Sequence, residues 1–469
     1  MKFNRRNKDL PKVDPVKIKP LFGMEPGKWL TMAYALGLVL FVFLVAILPD
    51  MIDGHKRVTF TSTSGVVAVY VDDVYKGGTP FTTKIESGRH QVSYRVNGHE
   101  IDSFTIKVGH PVFLNWLLPR TQKVSSSASL TSEALASRSK ELLEDVDSYS
   151  AILEYDDVHR YPPIYTQYAQ SCGSAYDADV LKAALQFVTT EEMHQDSEAA
   201  LSSLGVSMDS PYSQLDGSST VGVADAEAPT VTAKSTKLKT DVISIDGFTI
   251  PAADFSNGRE VTASYPAVME AGELVHTEPF NISAYCITEY QYALFTAANP
   301  DWALSNKDNL MASGLVDDYY LDGITLSLTT ATNRPIRNIS WYAADAFCKW
   351  LSSISGVTVY LPSENQWIAA SLTDTEGGFQ KSLMPSTAEK FPAAMLGSVW
   401  EMTGTRFIPL ARISDADIEE TLNAYNVQTA MVVKGGSYVS DMKSIDRYSV
   451  GVASRRLCSD FMGFRIAWN

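Results

Sequence analysis

Pro335–Leu351 reads PIRNISWYAADAFCKWL and decides how the last part of the chain folds. Ser340 precedes a run in which Ala344, Phe347, Cys348 and Leu351 fall three or four residues apart. That spacing puts one apolar stripe on a helix, and a serine hydroxyl is a good acceptor for the free N–H groups at a helix start. Working outward, Thr288 sits as the N-cap of a second helix, ahead of Glu289-Tyr290-Gln291-Tyr292. Tyr360-Leu361-Pro362-Ser363-Glu364-Asn365-Gln366-Trp367, Leu396–Met402, Lys434–Tyr438 and Gly463–Ala467 carry more aromatics, glycines and isolated charges. Trp367 and Trp400 are large enough that core packing is their first role. Glu364, Glu401 and Arg465 are charges inside these apolar surroundings, so structural ion pairs or backbone hydrogen bonds are expected for them.

Taken in order, these pieces resemble the formylglycine-generating enzyme, or sulfatase-modifying factor, family. Val242–Phe248 is similar to its first strand and turn, Ile287–Tyr292 to "EVTNxxY", and Pro335–Leu351 to "PVxxVSWxDAxAFCxWL". Tyr360–Trp367 is similar to "RLPTEAEWE", Leu396–Met402 to "LGNVWEW", Lys434–Tyr438 to "RGGSW" and Gly463–Ala467 to "GFRLA". The resemblance covers residues 241–469 and implies an α+β, C-type-lectin-like fold. It also implies where chemistry should lie. Oxidase members of the family hold copper through two cysteines shortly after "GGSW", and thiolate sulfur suits Cu(I). The matching positions here are Ser440 and Ile445. Neither supplies a thiolate, so the expectation is a domain without the oxidase reaction.

Family members also bind structural calcium beside "GNVWEW" through asparagines, carbonyls and the glutamate. Glu401 is present, but the two asparagine positions are Ala394 and Ser398. Calcium wants six to eight oxygens. The sequence therefore commits to no cofactor and leaves a weakened calcium site as the one open metal. Iron-dependent sulfoxide synthases, further relatives of this fold, rely on a histidine cluster from a separate helical domain. Here all seven histidines lie at or before His276, without paired helical spacing.

Upstream, Trp29–Leu48 contains twenty residues and no charge. Twenty helical residues span about 30 Å, the thickness of a bilayer's hydrocarbon. The run is too long for a cleaved leader, and Pro49-Asp50 stops it. Lys2, Arg5, Arg6, Lys8, Lys12, Lys17, Lys19 and Lys28 outnumber Asp9, Asp14 and Glu25 on its N-terminal side. Excess Lys and Arg stays cytoplasmic. The expected placement is a single-pass inner-membrane protein, with residues 1–28 a cytoplasmic basic tail, 29–48 the transmembrane helix, and the bulk periplasmic.

Residues 56–110 alternate with period two between turns such as Gly77-Gly78, Gly88 and Asn97-Gly98, which predicts a small antiparallel β-sandwich. The stretch VYVDD (residues 69–73), Gly78-Thr79-Pro80, Ser87–His90 and Asn97-Gly98-His99 resembles a PEGA domain, implying a spacer or interaction module without chemistry. His90 and His99 read as turn-flanking surface residues. Residues 125–206 read as a helical segment. Leu135, Leu142, Val146, Tyr149 and Leu153 line one stripe, and a second helix is expected over Asp177–Leu204. Residues 207–240 are rich in Ser, Thr, Gly, Asp and Ala and are expected to be a flexible tether before the domain at 241–469.

The net charge of −15 argues against nucleic acid, whose phosphates need clustered Lys and Arg. Cys172, Cys286, Cys348 and Cys458 form no CxxC pair, which gives no zinc site and leaves disulfides and buried thiols equally open. No P-loop, dinucleotide fingerprint or nucleophile elbow is present. The expected function is a membrane-anchored binding or scaffold protein whose partner is a protein or envelope component. Trp400, Glu401, Arg406, Tyr438, Ser440, Asp441, Arg447 and Tyr448 are the candidate ligand-binding residues. Alternatives are an enzyme using a set such as Asp441, Arg447 and Glu401, or a structural subunit of a periplasmic assembly docked through the helical segment.

Overall fold

The computed structural model describes residues 19–110, 120–151, 160–214, 220–221, 231–258, 261–262, 272–329, 332–374, 378–383, 388–411 and 418–469. Most of the basic tail, His159, Leu153 and the middle of the expected tether lie outside them. The chain divides into two compact units, Met1–Ala134 and Leu135–Asn469.

In the first unit, helix α1 (Pro26–Val42) runs into a π-turn, Phe43–Ile47, and then α2 (Leu48–Asp53). Pro26–Ile47 is long and apolar enough to cross a membrane. The helix does not end at Pro49 as expected. Proline has no N–H to donate and its ring collides with the carbonyl four residues earlier. The widened turn, in which Leu48 N–H reaches Phe43 O, accommodates it.

Among the described residues, seven strands follow. Strands β3 (Val74–Gly78), β2 (Ala68–Val71), β5 (Gly88–Val96) and β6 (His99–Val108) form one antiparallel sheet in that order. The second sheet has the order β4-β1-β7, from Phe81–Glu86, His55–Ser62 and Thr121–Ser126. Val58, Phe60, Val69, Val92 and Tyr94 are buried together in one core with residues from both sheets. Two expectations need correction. The β1–β7 pair is parallel, and the unit extends past residue 110 to Ser126, inside the stretch read as helical. Period-two alternation fixes which face is buried but not the direction of a partner strand. His90, expected at a surface turn, instead lies within β5 with its side chain mostly covered, and its Nδ1 is 2.6 Å from Asp72 Oδ2.

In the second unit, helix α3 (Ser132–Ser150) from Leu135 onward, α4 (Ile164–Cys172), α5 (Ala178–Leu185) and α6 (Glu191–Leu204) form a helical layer. The single helix expected over Asp177–Leu204 is two, because Thr190 caps a new start by accepting from Met193 N. Asp196 ties α6 back to α4 by accepting from Tyr165 N and Thr166 N.

The tether is also shorter than expected. β8 (Lys234–Lys239) pairs antiparallel with β9 (Ser244–Ile250) as the edge of a five-stranded sheet. The order continues through β10 (Phe280–Ser283), β16 (Ala467–Trp468) and β11 (Val359–Tyr360). A second sheet has the order β14-β13-β12-β15, from Val450–Ala453, Met431–Lys434, Trp400–Arg406 and Met462–Gly463. Helices α7 (Glu289–Ala298), α8 (Trp341–Ser355) and α9 (Glu364–Ser371) start on Thr288, Ser340 and Ser363 caps. Ala343, Ala344, Phe347, Cys348 and Leu351 of α8 are all buried, as their spacing predicts. Phe347 packs edge-on against Phe295 and Phe464. The unit is thus mixed α+β, with its core between the sheets and α7–α8.

Candidate functional site

The motif charges meet inside the domain. Arg465 Nε lies 2.5 Å from Glu401 Oε2 and Nη2 lies 2.6 Å from Oε1, a fork-on-fork pair with both side chains essentially without exposure. Trp367 Nε1 donates to Oε2 at 2.7 Å, and the Cys286 thiol donates to Oε1 at 3.4 Å. Arg465 also donates to the carbonyls of Ser283 and Ala393. One ion pair therefore joins β10, α9, β12 and the last turn of the chain. Burial opposes the charge on Arg465, but Glu401 more than offsets it and holds the guanidinium above its ordinary range.

A second buried pair lies beside it. Lys434 Nζ is 3.2 Å from Glu364 Oε1, donates to Tyr448 O at 3.1 Å and sits over the Trp367 ring. Glu364, Glu401 and Arg465 are thus structural ions, as their setting suggested. Lys434 as the partner was missed, because nothing local links residues 70 apart in sequence.

The Gly435-Gly436 turn follows β13 with φ of +90° and +74°. A Cβ on Gly435 would lie 2.4 Å from Met395 O, and one on Gly436 2.8 Å from Ile445 Cγ2. Only glycine fits both the conformation and the space. Gly397 N donates to Gly435 O, and Tyr438 N donates to Ser398 O, so the "LGSVWEM" and "KGGSY" stretches interlock. Ser437 N donates to Ser440 Oγ at 3.0 Å. Ile445 is thus packed on the turn whose next residue Ser440 caps.

The eight candidate residues do not converge. Glu401 is buried with its oxygens engaged, which removes it from any ligand-facing set. Trp400 is half-buried beside Gly451, with its backbone N–H donating to Phe461 O. Arg406 binds inward, to Glu419, Val427 O and Asn423. Tyr438 reaches Asp460, which also pairs with Arg337, and its ring packs on Phe461. Asp441 caps a turn through Lys443 N, and Arg447 donates to Ser371 O. Tyr448 N is held by Asp446, and its ring packs on the core beneath. Tyr438, Ser440 and Asp441 share one short loop on which Val439 and Met442 are exposed.

Arg406 alone of the eight lines a cavity of about 140 Å³, beside Asn257, Glu364, Asn365, Thr405 and Phe407. No sequence signal marks it, because its walls come from distant segments.

Among the described residues no group of three His, Cys, Asp or Glu is arranged to hold a metal. At the position where the family holds calcium, Glu401 is engaged with Arg465 and Trp367, and Ser398 O accepts from Tyr438 N. Ala394 and Ser398 nonetheless keep left-handed backbone, with φ of +54° and +58°. Asparagine tolerates that region better than alanine or serine. The four cysteines are buried free thiols. Burial pushes those of Cys172, Cys286, Cys348 and Cys458 up.

Residues 234–394 and 393–469 match the sulfatase-modifying factor enzyme 1-like domain family. The chain belongs to this family. The sulfatase-modifying factor domain starts at the strand Lys234–Lys239, which agrees with the sheet and not with the boundary expected at 241. A protein of Borreliella burgdorferi, itself uncharacterized, is 21% identical over 394 residues, covering 75% of this chain and 78% of that protein. Among solved structures, Treponema denticola variable protein 1 is similar over 50% of this chain and 98% of its own, at 13% identity and a TM-score of 0.34. PvdO from Pseudomonas aeruginosa is similar over 51% of this chain and 98% of its own, at 16% identity and a TM-score of 0.35.

The helical layer packs on the sulfatase-modifying factor domain of its own chain. Leu410 N donates to Gln186 O, and Tyr425 OH donates to Asp177 Oδ2 at 2.8 Å. Tyr425 follows helix α10 (Glu419–Ala424), which lies in the long connection between β12 and β13. Part of the segment read as a docking element for other subunits is therefore engaged in cis.

Proposed function

We propose that this chain is a membrane-anchored, extracytoplasmic binding or scaffold protein whose sulfatase-modifying factor domain keeps the family fold without its oxidase reaction. The observation that carries the reading is at the two positions matching the family's copper cysteines. Ser440 offers a hydroxyl, already used by Ser437 N, and Ile445 offers an aliphatic side chain seated on Gly436. Neither can grip a soft metal. Thiols elsewhere are buried and held protonated.

In this reading α1 spans the inner membrane with its basic N-terminal side in the cytoplasm. The first β unit is a PEGA-like spacer. The loop bearing Tyr438, Ser440 and Asp441, with its exposed Val439 and Met442, faces the partner, a protein or envelope component.

The test uses the full chain in detergent, supplied with Cu(I), oxygen and a cysteine-bearing peptide. No peptide aldehyde should form, and copper should not be retained after desalting. Turnover, or copper held by sulfur in an X-ray absorption spectrum, would overturn the reading. Crosslinking from residue 439 in intact cells should capture a partner that crosslinking from residue 237, on the edge strand β8, does not.

A further inference from the structure

Helix α3 carries a carboxyl group that neither the fold nor the proposed binding role explains. Asp147 points from the helical layer into the face presented by the sulfatase-modifying factor domain. One of its oxygens accepts from the backbone N–H of Ala430, in the turn before β13. The other, Oδ1, is buried without a hydrogen-bond partner among the described residues. The neighbouring Thr429 hydroxyl is likewise buried and unpartnered among them. Isolated carboxylates are not left in such places without compensation.

The surrounding charges do not supply a partner. Arg406, from β12, and Arg455, beyond β14, lie close enough to favour the ionised form. Neither forms an ion pair with Asp147 among the described contacts. Arg406 is engaged with Glu419, Val427 O and Asn423. Arg455 donates to Thr429 O and lies over the Trp341 ring, with Tyr342 and Asp345 of α8 also acting on it. On α3 itself, Glu141 pairs with Arg138 and Glu144 with Lys140.

We infer that Asp147 is a protonation-gated latch: its neutral carboxyl holds the helical layer against the sulfatase-modifying factor domain, and its ionised form loosens that contact. This goes beyond the binding role and does not depend on it. Burial pushes the Asp147 carboxyl up to about 6, with the Ala430 N–H and the two arginines opposing the rise. The docked state holds its proton to higher pH than the released state, so docking weakens as pH rises from about 3.8 toward about 6 and then levels off. A carboxyl returning from about 6 to 3.8 on release makes opening about tenfold more favourable at pH 7.5 than at pH 5.

The measurement is hydrogen exchange of the full chain in detergent at pH 5, 6 and 7.5, corrected for intrinsic rates. Amides of residues 135–150 should lose about tenfold protection across that range. Amides of β10 should not change, which separates local release from global unfolding. Asp147→Asn should hold protection flat, and Asp147→Leu serves if the asparagine variant folds poorly. Constant protection in the unsubstituted chain, or an unchanged pH dependence in either variant, overturns the latch.

Discussion

Arg465 closes a fork on Glu401 in a place no water reaches, and Trp367 and Cys286 donate to the same carboxylate. Removing one ion of such a pair leaves the other buried and uncompensated. Glu401→Ala or Arg465→Met should each destabilise the domain by about 3–5 kcal/mol in urea unfolding followed by Trp fluorescence. The double variant Glu401→Leu/Arg465→Met should recover much of the loss. If the double variant is as unstable as both singles summed, the pair is not the coupled unit described.

Ala394 and Ser398 hold left-handed backbone without the residue types that favour it. Replacing Ser398 with glycine should stabilise the domain by about 1 kcal/mol, and Ala394→Gly by a similar amount. Gly436→Ala should act the other way, because its new methyl meets both strain and Ile445. Melting temperatures of the three variants would check the ordering; a destabilised Ser398→Gly would show that its buried hydroxyl matters more than backbone strain.

Tyr425 and Asp177 bridge the helical layer and the connection between β12 and β13. Asp177 also caps α5 through Asp179 N and Val180 N. Tyr425→Phe should therefore cost about 1 kcal/mol, and Asp177→Ala roughly twice that, because it loses the cap as well. A double-mutant cycle should show coupling near the smaller value. Zero coupling would mean that the hydroxyl and carboxylate bind independently.

The His90–Asp72 contact in the first unit makes a pH prediction. Its hydrogen bond to Asp72 raises His90 above its ordinary value, and the same bond lowers Asp72. The His90 contribution is complete below the ordinary histidine value of 6.5 and is lost as pH rises through the higher folded value. The Asp72 contribution is present above 3.8 and is lost as pH falls through the lower folded value. Protection of the β2–β5 amides should thus be greatest in mildly acidic solution, and His90→Gln should remove the loss on the alkaline side. An NMR titration placing His90 at or below 6.5 would refute this.

Much of the C-terminal domain was legible because its signals are local. Ser340 and Thr288 cap helices where their hydroxyls sit ahead of apolar periodicity, and Phe347 and Leu351 are buried on schedule. Lys234–Lys239 was hidden because an exposed edge strand such as KSTKLK has the composition of a tether. Thr190 lies just beyond Leu181, Leu185 and Val188, whose spacing alone does not show the break that follows them. The pairing of Glu364 with Lys434, the parallel β1–β7 ladder and the cavity beside Arg406 depend on distant segments, and no short window contains them. The candidate ligand residues were chosen for chemistry within motifs. Structure spends Glu401 and Arg406 on holding the domain together and leaves the Tyr438–Asp441 loop as the accessible part.

Strands β8 and β16 belong to one sheet, although most of the domain's length separates them in sequence. Until residues 464–468 arrive, β10 has an open edge and Glu401 has no cation. A nascent domain would thus remain sticky and electrostatically frustrated until that segment docks. Its maturation should lean on whatever shields unfinished chains.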